Sequence, residues 1–286
     1  MWCLGKSHFE IGDHRVSYDC LQEAYWLFNT LPLSEVESQR LGYQCGLDLM
    51  DSAWFVLSDY NKELSLAQDI ETKCAALSDS VIHGCSLVLL GAMYQGHKLD
   101  EALRCLHQVQ TMLKAVENTY NLANVYQIIS WVHYFNHRLP AALDTSQEAW
   151  KLAQLTDNPL FQAEISVDLS RVLFNTNRDT EAWKYLEIAL MKASHAGSRF
   201  TAAQALEYMG YGYLCRGDYQ NAYGAYEAAA EKYVSTVDAH MSERCHDNMA
   251  RIKQKEGNPN TVVGFHRLGI DIDKTLFYPP CSSFCK

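Results

Sequence analysis

Helix-breaking residues, clustered cations and long apolar runs are all scarce in this chain. Among 286 residues there are 6 prolines and 15 glycines, too few to supply the many turns of an all-β fold. The segments between them are rich in Ala, Leu, Gln and Glu, which favour helix over strand. The expected fold class is therefore all-α. No run of about 18 apolar residues occurs, so no membrane-spanning helix is expected. The first residues, MWCLGKSHFE, lack a basic segment followed by an apolar one, so no secretion signal is visible. Lys and Arg number 24 against 34 Asp and Glu, a formal charge of −10. Phosphate backbones and anionic lipid are bound through clustered cations, so neither nucleic acid nor a membrane is expected as a partner.

What is present is a globular composition, with 48% hydrophobic residues and ample material for a core. Of 10 cysteines, those at 3, 20, 45, 74, 85, 105, 215 and 245 stand singly within helical pattern. Scattered thiols of this kind act as small hydrophobes in a reducing compartment, and a cytoplasmic protein is expected. Cys281 and Cys285 form one Cys-x-x-x-Cys without a second pair, which does not make a zinc site.

The stretch ALEYMGYGYLCRGDYQNAYGAYEAAAEKY, residues 205 to 233, holds Gly210 and Gly217 inside otherwise helical pattern. Gly210 would let a second helix approach closely, and Gly217 would end the first helix in the left-handed conformation. Asp218 can then cap the next helix, on which Ala222 and Ala229 are the matching small residues. Moving back 40 residues repeats the frame with Ser170, Asn177, Ala182 and Ala189, and another 40 with Ser130, His137, Ala142 and Ala149. Nearer the N-terminus, Gly91 and Ala102 keep it with one residue fewer between them, and Gly5 and Gly12 restore it. A copy around Trp54, Tyr60 and Ala67 has Glu63 where a small residue is expected.

This order of large and small residues resembles the tetratricopeptide repeat. The resemblance implies a right-handed superhelical solenoid of about six helical hairpins over residues 1–235, at a spacing longer than the usual ~34 residues. Residues 236–256, with Met241, Cys245, Met249 and Ile252 on one face, are expected to form a capping helix, and 257–286 an extended tail. The first repeat begins at Met1, leaving no room for an N-terminal cap, as in a piece of a longer protein.

The chain has no phosphate-binding Gly-x-x-x-x-Gly-Lys, no Gly-x-Ser-x-Gly and no His-Glu-x-x-His, the signatures of the commonest enzyme sites. His133 and His137 are four residues apart, but one falls at a packing position and the other at a turn. His240, Cys245 and His246 match no ligand spacing, and Asp271 with Asp273 reads as a solvated turn. No catalytic residue, metal or cofactor is expected, and the chain is read as a non-enzyme.

A surface remains. In a stacked solenoid the first helix of each hairpin lines the concave wall. The frame places Phe55, Tyr94, Trp131, Tyr134, Phe135, Phe174 and Tyr211 there, with Asn124, Gln127, Arg171, Asn175 and Glu207 as polar companions. Such a groove suits another protein's peptide or helix. Trp131, Tyr134 and Arg171 form the expected centre, with Arg171 pairing a partner carboxylate. The clamp of Lys and Asn by which related repeats grip chaperone tails is missing, since its frame positions hold Trp2 and Lys6, Asp48 and Ser52, or Gln127 and Trp131. The C-terminal ERCHDNMARIKQKEGNPNTVVGFHRLGIDIDKTLFYPP resembles the end of tetratricopeptide arrays in fungal multidomain proteins, including those with an upstream NACHT or NB-ARC type STAND ATPase. That implies a sensor or scaffold. A ligand-sensing regulatory module and a helical enzyme with an unrecognised site are the alternatives to a docking scaffold.

Overall fold

The computed structural model describes residues 1–10, 13–30, 36–56, 60–76, 80–94, 98–115, 117–234 and 239–257. Among them there are thirteen helices and no strand: α1 (Trp2–Glu10), α2 (His14–Thr30), α3 (Val36–Val56), α4 (Tyr60–Ala75), α5 (Ser80–Tyr94), α6 (Leu99–Ala115), α7 (Thr119–Phe135), α8 (Leu139–Ala153), α9 (Pro159–Asn175), α10 (Asp179–Ala196), α11 (Arg199–Cys215), α12 (Tyr219–Val234) and α13 (Ala239–Gly257). No described helix is long and apolar enough to cross a membrane. Two compact units divide the chain between Asn121 and Leu122. Gly12, the side chains of Trp54 and Phe55, and the whole segment from 258 lie outside the described residues.

In the N-terminal unit, α1 pairs with α2, α3 with α4 and α5 with α6. Glycines on first helices admit leucines from second helices. A Cβ on Gly5 would stand 2.6 Å from Leu21 Cγ, and one on Gly91 would stand 2.8 Å from Leu106 Cγ. Ala102 is fully buried beside Leu106. Glu63 keeps its place in the frame although it is a carboxyl, only 1% exposed. The two clamp positions carrying Trp2 and Asp48 are joined to each other, the Trp2 indole N–H donating to Asp48 Oδ2 at 2.6 Å.

The C-terminal unit keeps the 40-residue frame without slippage. His137, Asn177 and Gly217 all end their helices in the left-handed region, at φ 57°, 58° and 73°. In each case the following N–H reaches back five residues: Arg138 to the His133 carbonyl at 2.9 Å, Arg178 to Leu173 at 2.9 Å and Asp218 to Tyr213 at 3.0 Å. These Schellman bonds satisfy carbonyls that a helix end leaves open. The Asn221 N–H then donates to Asp218 Oδ1 at 3.2 Å, so Asp218 caps α12. Ala142, Ala182, Ala222, Ala149, Ala189 and Ala229 are all at most 1% exposed, and their small size sets how closely paired helices approach. Between α7 and α8, Ser130 Oγ donates to the Ala142 carbonyl at 2.9 Å.

On α13, Met241, Cys245, Met249 and Ile252 are buried, and the helix packs on α12. The same helix corrects one sequence expectation. Glu207 does not face a groove: it is fully buried and accepts from Arg244 Nε at 2.7 Å and Nη2 at 2.8 Å, and from the Tyr233 hydroxyl at 2.9 Å. The repeat frame alone could not place it, because Arg244 lies outside the repeats.

Candidate functional site

Helices α7, α9 and α11 each open a hairpin of the C-terminal unit, and side chains at corresponding positions stand 40 residues apart in sequence. Gln127 on α7 donates through Nε2 to Asp168 Oδ2 on α9. Trp131, one turn further along α7, favours the ionised form of the same carboxylate. Arg171, one turn beyond Asp168, places Nη2 3.4 Å from Asp168 Oδ1 and its Cζ 4.8 Å from the centre of the Tyr134 ring. Tyr208 on α11 helps to hold Arg171 charged. Asp168 is thus the point on which α7 and α9 converge.

This arrangement explains the ionisation of its members. Burial pushes the Asp168 carboxyl up, and Arg171, Gln127 and Trp131 offset only part of that. Burial opposes the charge on Arg171, but Tyr208, Asp168 and Tyr134 outweigh it and the guanidinium stays above its ordinary value. The Tyr208 phenol is pushed up, mainly by burial.

The expected centre of Trp131, Tyr134 and Arg171 does come together, but it is interior. The three are 6%, 3% and 0% exposed. A fully buried guanidinium ion-paired with Asp168 and lying over the Tyr134 ring is already neutralised within the chain, so the expectation that it meets a partner carboxylate is replaced by this internal pair. A carboxylate three residues earlier on the same helix face is the sequence signal that would have found it.

What the network leaves open lies one turn before it. Asn124, three residues before Gln127, is 4% exposed, and its amide has no hydrogen-bond partner among the described residues, yet its polar atoms are not sealed from solvent. At the corresponding position on α9 stands Glu164, four residues before Asp168. It is half-buried and makes no hydrogen bond or ion pair among the described residues. Burial first, and then the charge of Asp168, push its carboxyl up to about 7. Neither Glu164 nor Asp168 stood out in the sequence, where each reads as an ordinary acid of a helix surface.

The remaining candidates go elsewhere. Phe174 and Tyr211 meet edge to face at 6.1 Å, and Phe174 meets Trp183 of α10 at 6.2 Å. Gly212 makes room for that cluster, since a Cβ there would lie 2.8 Å from Phe174 and 2.9 Å from Trp183. Asn175 donates to the Arg171 carbonyl of its own helix at 2.9 Å. Tyr94 belongs to the N-terminal unit, where its hydroxyl accepts from Gln68 at 2.9 Å. His137 is exposed at its turn and Cys245 is buried. Among the described residues no group of His, Cys, Asp and Glu is placed to hold a metal ion.

No protein-family model matches this chain, and none of the curated proteins does. Solved structures do. A Rap protein complexed with Competence and Sporulation Factor is 14% identical at a TM-score of 0.62, over 91% of this chain and 72% of that one. The Rap conjugation gene regulator of plasmid pLS20, in complex with the Phr* peptide, is 14% identical at a TM-score of 0.59, over 92% and 75%. A STAND protein with a tetratricopeptide repeat sensor from Pyrococcus horikoshii is 12% identical at 0.59, over 89% of this chain and 43% of that one. At such identities the likeness is one of fold, and the fold is that of tetratricopeptide-like helical repeat proteins.

Proposed function

We propose that the C-terminal unit is a docking module that binds a peptide or helix of another protein across α7, α9 and α11, without catalysis and without a cofactor. The observation that carries this reading is Asn124. A carboxamide offers both a donor and an acceptor, the complement of a peptide main chain. Its polar atoms make no hydrogen bond among the described residues yet reach solvent, so they are available to exchange water for a ligand's main chain. The network around Asp168 holds α7 and α9 in register beneath it, so the amide is presented from a rigid wall, which lowers the entropy lost on binding. Two of the fold neighbours are described in complex with a peptide or with a named factor, which supports the choice of ligand class. The net charge of −10 argues against nucleic acid and membrane, and the cysteines standing singly along the helices accord with a reducing, cytoplasmic setting.

A second reading, a ligand sensor attached to a larger signalling ATPase, is favoured by the likeness to the STAND sensor. It differs in calling for a small pocket between repeats rather than an open docking wall, and in the consequence of binding.

Selection from a displayed library of random hexapeptides tests the proposal. The wild-type chain should enrich sequences sharing a motif, and Asn124→Leu, melting within a few degrees of wild type, should bind them at least tenfold more weakly. A selection that enriches nothing, or peptides that Asn124→Leu binds equally well, would remove α7 as a docking wall.

A further inference from the structure

Among the described residues, Glu164 is the one member of the wall whose charge the chain leaves unanswered. Its neighbour Asp168 has Gln127 and Arg171 as partners, and Arg171 in turn is buried between Asp168 and the Tyr134 ring. The residues that the frame aligns with Glu164 are neutral: Asn124 on α7 and Gln204 on α11. The charge acting on it is that of Asp168, a like charge one turn away, which on a helix is unfavourable. A half-buried carboxylate beside a second one is a poor choice for stability and a good one for receiving a cation. Asn124 at the corresponding position on α7 is 4% exposed, and its amide makes no hydrogen bond among the described residues while still reaching solvent, an independent sign that this level of the wall is built for a ligand.

Resting on the peptide-docking reading, we infer that the ligand presents a cationic group to Glu164, with Asp168 behind it, while its main chain or an amide bonds Asn124. The cation is the side chain of Lys or Arg, or a free α-amino group. Arg would engage both oxygens of a carboxylate at once, and an ammonium would act as a point charge. Binding holds Glu164 ionised, so a group pushed up to about 7 makes affinity for a Lys or Arg side chain rise with pH between about 6 and 8, whereas an α-amino group, which itself loses its proton at about 7.7–8.0, would bind best near the middle of that range.

The test uses pools of amidated hexapeptides containing one Lys or Arg, no charge, or one Asp or Glu, each pool prepared with a free and with an acetylated N-terminus. Retention is measured by equilibrium capture on the full chain, on Glu164→Gln and on Glu164→Lys. Wild type should retain either the acetylated basic pool at least tenfold over the acetylated acidic one, or each free pool at least tenfold over its acetylated counterpart, and the acetylated Lys or Arg pool more at pH 8 than at pH 6. Glu164→Gln should cut that preference to within about twofold, and Glu164→Lys should reverse it. If the neutral pool is retained only with a free N-terminus, the cation is the α-amino group; if the acetylated basic pool suffices, it is the side chain. Equal retention of all pools by wild type, or a basic preference that survives Glu164→Gln, overturns the inference and leaves the docking reading standing. No retention of any pool by wild type overturns the docking reading and this inference with it. Asn124→Leu provides the contrast, since it should weaken every pool while keeping the order among them.

Discussion

The ring of Tyr226 fills the space a side chain on Gly210 would need. A Cβ at Gly210 would lie 3.0 Å from Tyr226 Cε2 and 3.1 Å from Cδ2 and Cζ, and the tyrosine is fully buried. The glycine thus exchanges helix propensity, about 1 kcal/mol, for the burial of an aromatic ring. Gly210→Leu should force α11 and α12 apart and cost about 3 kcal/mol, lowering the melting temperature by roughly 6–12 °C for a domain of this size. Thermal unfolding followed by circular dichroism checks it, and a variant that melts with wild type would contradict the packing described.

The same tyrosine carries a second prediction. Its hydroxyl has no hydrogen-bond partner among the described residues, and burial raises the phenol's pKa well above its ordinary value. Removing a buried, unpaired hydroxyl relieves its desolvation penalty of about 1–3 kcal/mol at the expense of a small void. Tyr226→Phe should therefore be neutral or stabilising by about 1 kcal/mol in urea unfolding. A loss of more than that would mean the oxygen has a partner.

Arg244 and Glu207 tie α13 to the wall of repeats. Breaking a buried pair leaves one charge alone, at a cost of about 3–5 kcal/mol, whereas replacing both by apolar residues can be nearly neutral. Arg244→Met should loosen α13, and Glu207→Leu should do equal damage by stranding the guanidinium. The double variant should recover most of the loss. Hydrogen exchange at the amides of α13 reports each case, and additive damage in the double variant would argue that the two do not act as a pair.

How far the sequence could be read depended on whether the information was local. The left-handed turns at Asn177 and Gly217 were legible because few residues tolerate positive φ, and His137 followed from the period although its type gave no hint. The burial of Met241, Cys245, Met249 and Ile252 followed from a single helical face. Depth was not legible: the period places Trp131, Tyr134 and Arg171 on the first helices of their hairpins, but only the flanking aromatics and Asp168 decide that they are covered. Phe174 and Tyr211 went astray for a related reason, since Trp183 on a second helix and the space left by Gly212 draw them into another cluster. Glu207 depends on Arg244, 37 residues away on a helix outside the frame. Glu164 was the accessible omission, because comparing positions 124 and 164 across one repeat sets it beside Asn124.

Glu164 also makes stability depend on pH, in a direction opposite to that of a salt-bridged acid. Its native pKa, pushed up to about 7, lies above the unfolded value of about 4.3, so between these two values the native state binds the extra proton. Stability then falls as pH rises through that window, and above it the full penalty of an ionised, half-buried carboxylate is present. Glu164→Gln removes the titration while keeping the shape. At pH 8 the variant should be more stable than wild type, the difference should shrink through pH 6, and at pH 4 it should vanish. Urea unfolding of both proteins at the three pH values measures it. A difference independent of pH would place the titration elsewhere, while the expected convergence would show that the chain carries the ionised carboxylate of Glu164 at a cost to its own stability.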